Sequence, residues 1–70
     1  MIELNVGHFY KVKHQRKGEF IGKLSRIGKS YSDFRFISGE FAGNPKQGQL
    51  INVQVAFCKI NEIEGNKDGE

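Results

Sequence analysis

Nine glycines and one proline divide this 70-residue chain into short segments. No window of 11 residues places apolar side chains at i, i+3, i+4 and i+7 without a glycine interrupting the pattern. Apolar and polar residues instead alternate with a period of two in several segments, which is typical of strands that bury one face. The sequence therefore predicts an all-β chain.

The alternation predicts four or five strands. They are expected at Phe9–His14, 19–27, 31–37, 50–57 and, as a short fifth strand, 60–63. The segment between the last two is long enough only for a turn or a single 3₁₀ turn. Seventy residues make one domain at most. We place that domain at 1–64 and expect 65–70 to be a disordered acidic tail.

Parity along the strands predicts which side chains build the core. Tyr10 and Val12 share one face of the first strand, because successive side chains alternate. In the second strand Ile27 falls on the opposite face from the core-facing residues that precede it. A β-bulge near Ser25 and Arg26 restores that parity, returns Ile27 to the core and turns Arg26 outward. The expected inward set of the later strands is Phe34, Phe36, Ile51, Val53, Val55 and Phe57.

Three segments together resemble the SH3-like small-barrel superfamily, to which the KOW, Tudor-like and Sm-like modules belong. They are 10–13 (YKVK), 18–24 (GEFIGKL) and 48–53 (GQLINV), and the resemblance covers about residues 7–63. It implies a small SH3-like barrel of four to five strongly bent antiparallel strands. The small, basic chain also resembles accessory proteins of bacteriophages or prophages.

The hairpin formed by the first two strands is strongly basic, although the whole chain carries only +3. Clustered Lys and Arg are what the neutralisation of backbone phosphates requires. Phe9 and Tyr31 lie on the faces opposite the core and are candidates for base stacking. The predicted nucleic-acid-binding residues are Phe9, Lys11, Lys13, Arg16, Lys17, Lys23, Arg26, Lys29 and Tyr31.

The same residues also have interpretations in which they serve the fold and bind nothing. The charges can form an ordinary solvated strand face, Phe9 can cap a barrel end, and Tyr31 can pack across a strand pair. A different function class is a protein-interaction module, an inhibitor or adaptor of a host enzyme, that acts through the 38–49 loop and the sheet edge. Its candidate residues are Phe41, Asn44 and Lys46, although a loop Phe more often folds back as a lid on the core.

Other chemistries find little support in the sequence. His8 and His14 would stand about 20 Å apart on one strand, too far to share a metal ion. Segment 39–46 (GEFAGNPK) lacks the spacing of a phosphate loop. A barrel this small fills its interior with side chains, so we expect no enzyme activity and no cofactor. A single cysteine and the lack of a long apolar run indicate a cytoplasmic protein without a membrane span. The oligomeric state is left open.

Overall fold

A computed structural model describes residues 4–63, which form five strands and one short helical turn. The elements are β1 (Phe9–His14), β2 (Gly18–Ile27), β3 (Tyr31–Phe41), β4 (Leu50–Gln54), a 3₁₀ turn (Val55–Phe57) and β5 (Cys58–Ile63). The predicted acidic tail at 65–70 lies outside the described residues. No helix within 4–63 has the length and apolar character needed to cross a membrane.

The strands form one antiparallel sheet in the order β4-β3-β2-β1-β5. β1 therefore pairs with β2 on one side and with β5 on the other. Among the described residues β4 and β5 do not pair with each other, so the sheet curves around a core without closing. The predicted all-β class with four to five antiparallel strands is confirmed.

The core lies on the concave side of the sheet and is rich in aromatic residues. The ring of Phe20 lies 4.9 Å from that of Phe41, 5.8 Å from Phe36 and 6.0 Å from Phe34. Burying one large apolar side chain contributes about 1.5–3 kcal/mol. The buried set comprises Tyr10, Val12, Phe20, Leu24, Phe34, Phe36, Phe41, Ile51, Val53 and Ile60.

The bulge predicted in β2 is present at Ser25. Leu24 pairs with Phe34 and Arg26 pairs with Asp33, so Ser25 is an extra residue with no partner in the register. The extra residue changes the parity of the strand. Arg26 consequently lies on the outer face opposite Asp33, as the sequence predicts.

The predicted return of Ile27 to the core is wrong. The bulge does restore its parity, because Ile27 lies opposite Ser32, which is buried on the inner face. However, Ile27 is 48% exposed. It is the last residue of β2 and its partner in the register is the polar Ser32, so correct parity alone does not bury it.

A second bulge, in β3, is not predicted by the sequence. Gly22 pairs with Phe36 while Ile21 pairs with Ser38, which leaves Ile37 as the extra residue. β3 therefore continues to Phe41 instead of ending at 37. The irregular loop is correspondingly shorter, 42–49 instead of 38–49.

The bulge in β3 also sends Phe41 into the core. Phe41 is 8% exposed and packs edge-on against Phe20, in agreement with the lid alternative. β2 and β3 approach closely where Gly39 pairs with Phe20, because a Cβ built on Gly39 would lie 2.5 Å from the carbonyl oxygen of Glu19. Gly39 has a φ of +128°, which side-chain-bearing residues rarely adopt.

The end of β4 also differs from the prediction. The strand ends at Gln54, and the 3₁₀ turn replaces the predicted continuation to residue 57. Ile51 and Val53 are buried as predicted, and Val55 is half-buried against the core. The 3₁₀ turn has three residues per turn, so the period of two is lost. Phe57 is consequently 46% exposed, and its predicted inward position is wrong.

Candidate nucleic-acid interface

A cleft of about 350 Å³ lies between the β1–β2 turn and the edge strand β4. It lies at the surface and reaches the edge of the packed core, because the buried Val53 forms part of its lining. Strand β4 and the 3₁₀ turn supply one wall, and the basic turn supplies the other. The lining residues are His14, Gln15, Arg16, Lys17, Tyr31, Asn52, Val53, Gln54 and Phe57.

The basic side of the cleft is a well-anchored turn. The Nδ1 atom of His14 accepts the backbone N–H of Arg16 at 3.0 Å and that of Lys17 at 3.2 Å. The backbone N–H of Gln15 donates to the carbonyl of Phe57 at 3.0 Å, which ties the turn to the 3₁₀ segment. The His14 ring also packs edge-on against Phe57. These contacts fix the position of the two cationic residues.

Two exposed aromatic rings lie in the same cleft. Tyr31 is 45% exposed and Phe57 is 46% exposed. The Tyr31 hydroxyl donates to Oε1 of Gln54 at 3.3 Å across the β3–β4 pair. Large apolar side chains left in water near cationic groups are a frequent sign of a binding surface. The cleft thus combines two exposed aromatic rings, three amide side chains and two positive charges.

The outer face of the sheet carries most of the remaining charge. Its rows of directly opposed residues differ in whether acidic side chains balance the positive ones. One row runs Lys59, Lys13, Glu19 and Glu40 across β5, β1, β2 and β3. Its two positive and two negative charges cancel. Lys11 makes an ion pair with Glu19 at 2.8 Å. That hydrogen bond lowers the pKa of Glu19, which stays ionised, so Lys11 and this row together contain three positive and two negative residues.

A second row is also compensated. Nε of Arg26 lies 3.0 Å from Oδ2 of Asp33, and Nδ2 of Asn52 donates to Oδ1 of the same carboxylate at 2.6 Å. The hydrogen bond from Asn52, and after it the one from Arg26, lowers the pKa of Asp33. Arg26 is therefore exposed but already paired with a carboxylate.

A third row has no acidic member. Phe9, Lys23 and Arg35 lie opposite one another on β1, β2 and β3. Nζ of Lys23 lies 5.8 Å from the centre of the Phe9 ring, and Nη1 of Arg35 donates to the carbonyl of Gly48 at 2.8 Å. Within residues 4–63 neither cation has a carboxylate within 4.0 Å. This row keeps two uncompensated positive charges.

The nine residues predicted to contact nucleic acid are thus divided among several places. Arg16, Lys17 and Tyr31 meet in the cleft, whereas Phe9 and Lys23 lie on the uncompensated outer row. Lys11 and Arg26 are ion-paired, Lys13 belongs to a neutral row, and Lys29 lies in the β2–β3 turn. Among the residues predicted for the alternative function, Phe41 is buried, which leaves Asn44 and Lys46 exposed in the 42–49 loop.

Sequence reasoning missed seven residues that the structure places at these surfaces. Arg35 lies on the outer row, and the other six line the cleft: His14, Gln15, Asn52, Val53, Gln54 and Phe57. A usable signal existed for Asn52 and Gln54, since they alternate with the inward Ile51 and Val53. No sequence pattern marks Phe57 as exposed.

The described residues contain no group of three or more His, Cys, Asp or Glu side chains that could hold a metal ion. Cys58 is half-buried next to the cleft wall, and burial raises the pKa of its thiol. A protonated thiol is a poor nucleophile and metal ligand. No family model, no curated protein and no solved structure matches this chain.

Proposed function

We propose that this protein binds nucleic acid and seats an unpaired strand in the cleft between the β1–β2 turn and β4. The observation that carries the proposal is the meeting of Arg16 and Lys17 with the exposed rings of Tyr31 and Phe57. Proteins that bind single strands combine cations along the backbone with aromatic faces on which bases stack. The two basic residues contact phosphates, and the two rings contact bases.

The size of the cleft favours an unpaired strand over a duplex. Its volume of about 350 Å³ lies near the lower end of the roughly 300–1,000 Å³ typical of ligand sites. That volume suits a base, whereas a double helix is wider than such a cleft. Bases inside a duplex are also stacked on each other and cannot present a free face to Tyr31.

The amide side chains leave room for only a weak sequence preference. Nδ2 of Asn52 is engaged by Asp33, and Oε1 of Gln54 accepts from Tyr31. The remaining capacity is the Oδ1 acceptor of Asn52, the NH₂ donors of Gln54 and the side-chain amide of Gln15. Such amide donors and acceptors fit parts of the edge of any base.

Three features of the fold support the accompanying assignment to the SH3-like small barrels. The chain has five short strands, a second strand bent at a bulge, and a single 3₁₀ turn before the last strand. Small barrels of this kind display binding residues on loops around a filled core. On these features we propose that the protein is an SH3-like small barrel.

A salt titration tests the proposed function. Affinity for labelled oligo(dT) and oligo(U) should fall as salt rises, with a log–log slope of about −0.7 for each phosphate neutralised. The variant Arg16→Gln/Lys17→Gln should reduce the magnitude of that slope by about 1.4, since two contacts are lost. The matched control is Lys11→Gln/Arg26→Gln, which removes the same charge from residues already paired with acids. An affinity indifferent to salt contradicts the proposal.

One observation favours a second candidate function, a protein-interaction module. β4 is an edge strand that borders the cleft, and an open edge can accept an extended peptide as an added strand. A pull-down from nuclease-treated lysate separates the two candidates. Protein partners that survive nuclease favour the interaction module, and loss of every partner favours nucleic acid.

A further inference from the structure

We infer that Lys23 and Arg35, with Ser25 beside them, form a phosphate-binding site distinct from the cleft, and that it holds a backbone phosphate of the same nucleic-acid strand. The inference rests on the proposed function. Its starting point is the outer row in which Lys23 and Arg35 lie directly opposite each other and, among the described residues, have no carboxylate within 4.0 Å. Like charges in that position destabilise a sheet.

The strand register places the two residues side by side, and each cation contacts a neutral group. Directly opposed residues have Cβ atoms about 4.5–5.5 Å apart. The Phe9 ring lies under the ammonium of Lys23, and the carbonyl of Gly48 accepts from Arg35. Neither partner neutralises a charge. A bound anion would therefore supply the compensation that carboxylates supply in the other rows.

A depression lies beside the two cations. It has a volume of about 370 Å³ and is lined by Val6, Gly7, Lys23, Leu24, Ser25 and Arg35. Ser25 is the extra residue of the β2 bulge, and its hydroxyl is a hydrogen-bond donor. Lys23, Ser25 and Arg35 line this one depression, and their ammonium, hydroxyl and guanidinium groups are donors from which a phosphate accepts hydrogen bonds.

The distance between the phosphate site and the cleft determines how many nucleotides a nucleic-acid strand needs to contact both. Tyr31 and Arg35 lie on the same outer face of β3, four residues apart, in a regular stretch of the β3–β4 pair. At about 3.3 Å per residue they are roughly 13 Å apart. With about 3.4 Å per stacked nucleotide, that distance corresponds to roughly four nucleotides. Shorter oligomers fill the cleft alone.

A length series of oligo(dT), from two to eight nucleotides, tests the inference by fluorescence anisotropy. The wild-type affinity should rise by about tenfold once the oligomer exceeds roughly four nucleotides. The variant Lys23→Gln/Arg35→Gln should lose that rise and keep the wild-type affinity for the dinucleotide. The control is Lys13→Gln/Lys59→Gln, which also removes two charges from an opposed pair on the outer face and should retain the rise. Equal behaviour of the two variants overturns the inference.

A second measurement separates this site from the proposed function and distinguishes the source of the phosphate. Inorganic phosphate is titrated at constant ionic strength while the backbone amide signals of Lys23, Ser25 and Arg35 are followed by NMR. Saturable shifts that vanish in Lys23→Gln/Arg35→Gln support a phosphate site even if no oligonucleotide binds, in which case the ligand is free phosphate and the proposed function fails. Absence of saturable shifts together with an unchanged length series overturns the site.

Discussion

The imidazole of His14 accepts the backbone N–H of Arg16 at 3.0 Å, so a side chain from the end of β1 shapes the turn that follows it. The same Nδ1 atom accepts the N–H of Lys17. Because Nδ1 is the acceptor, the ring carries its proton on Nε2. The orientation of the basic turn therefore depends on one ring whose other contacts are with Phe41 and Phe57.

His14→Ala should lower the free energy of unfolding by about 1–3 kcal/mol, since two backbone donors and two aromatic contacts lose their partner. Urea denaturation measures this change. The control is His8→Ala, which removes an exposed histidine whose contact is with Glu62; that change should cost less than about 1 kcal/mol. Equal losses in the two variants would show that His14 does not organise the turn.

The close approach of β2 and β3 at Gly39 gives a second prediction about stability. Gly39→Ala should be strongly destabilising, because its Cβ would meet the Glu19 carbonyl and the Phe20 backbone at 2.5 and 2.6 Å. Gly43→Ala is the matched control: its φ is +88°, and nothing lies within 4 Å of the added Cβ. The control should cost about 1–2 kcal/mol for the left-handed conformation alone. Similar losses of unfolding free energy for both variants in urea would refute the close approach of the two strands.

Strand parity predicts one of the two bulges and does not predict the other. The bulge at Ser25 is predictable, because an apolar residue, Ile27, follows it at the wrong parity. The bulge at Ile37 is followed by Ser38, Gly39 and Glu40, which do not mark a face. The sequence therefore reads as a loop there, and only pairing with β2 shows that the strand continues to Phe41.

The candidate site depends on information that a single sequence lacks. Counting charge along the hairpin finds Lys11 and Arg26 but cannot show that Glu19 and Asp33 compensate them. Compensation depends on cross-strand register, which also brings Arg35 opposite Lys23. The cleft forms from segments far apart in the chain, so the sequence predicts Arg16, Lys17 and Tyr31 as binding residues but not that they meet in one cleft.

The lowered pKa of Asp33 leads to a prediction about acid stability. Its carboxylate is stabilised in the folded state by Asn52 and Arg26. A group with a folded pKa below its unfolded value, about 3.9 for Asp, adds stability above that value and loses it as pH falls through the folded pKa. The wild type should therefore lose urea resistance below about pH 4. Asp33→Asn should be less stable at pH 7 and show a shallower loss on acidification; an unchanged acid profile would contradict the assignment.

Truncating the aromatic rings in the cleft should weaken binding of unpaired strands without unfolding the protein. Tyr31→Ala and Phe57→Ala should each cost about 1–3 kcal/mol of binding free energy, the usual contribution of one base–aromatic stack. Tyr31 is nearly half exposed, so Tyr31→Ala should change the urea midpoint little, whereas Phe57→Ala also removes the contact with His14 and should lower the midpoint modestly. Ile27→Ala is the control, because Ile27 is similarly exposed but outside the cleft lining. Tyr31→Phe should retain most of the affinity, since stacking needs the ring and not its hydroxyl. If Tyr31→Ala and Ile27→Ala bind oligo(dT) equally well, the bases do not stack in the cleft.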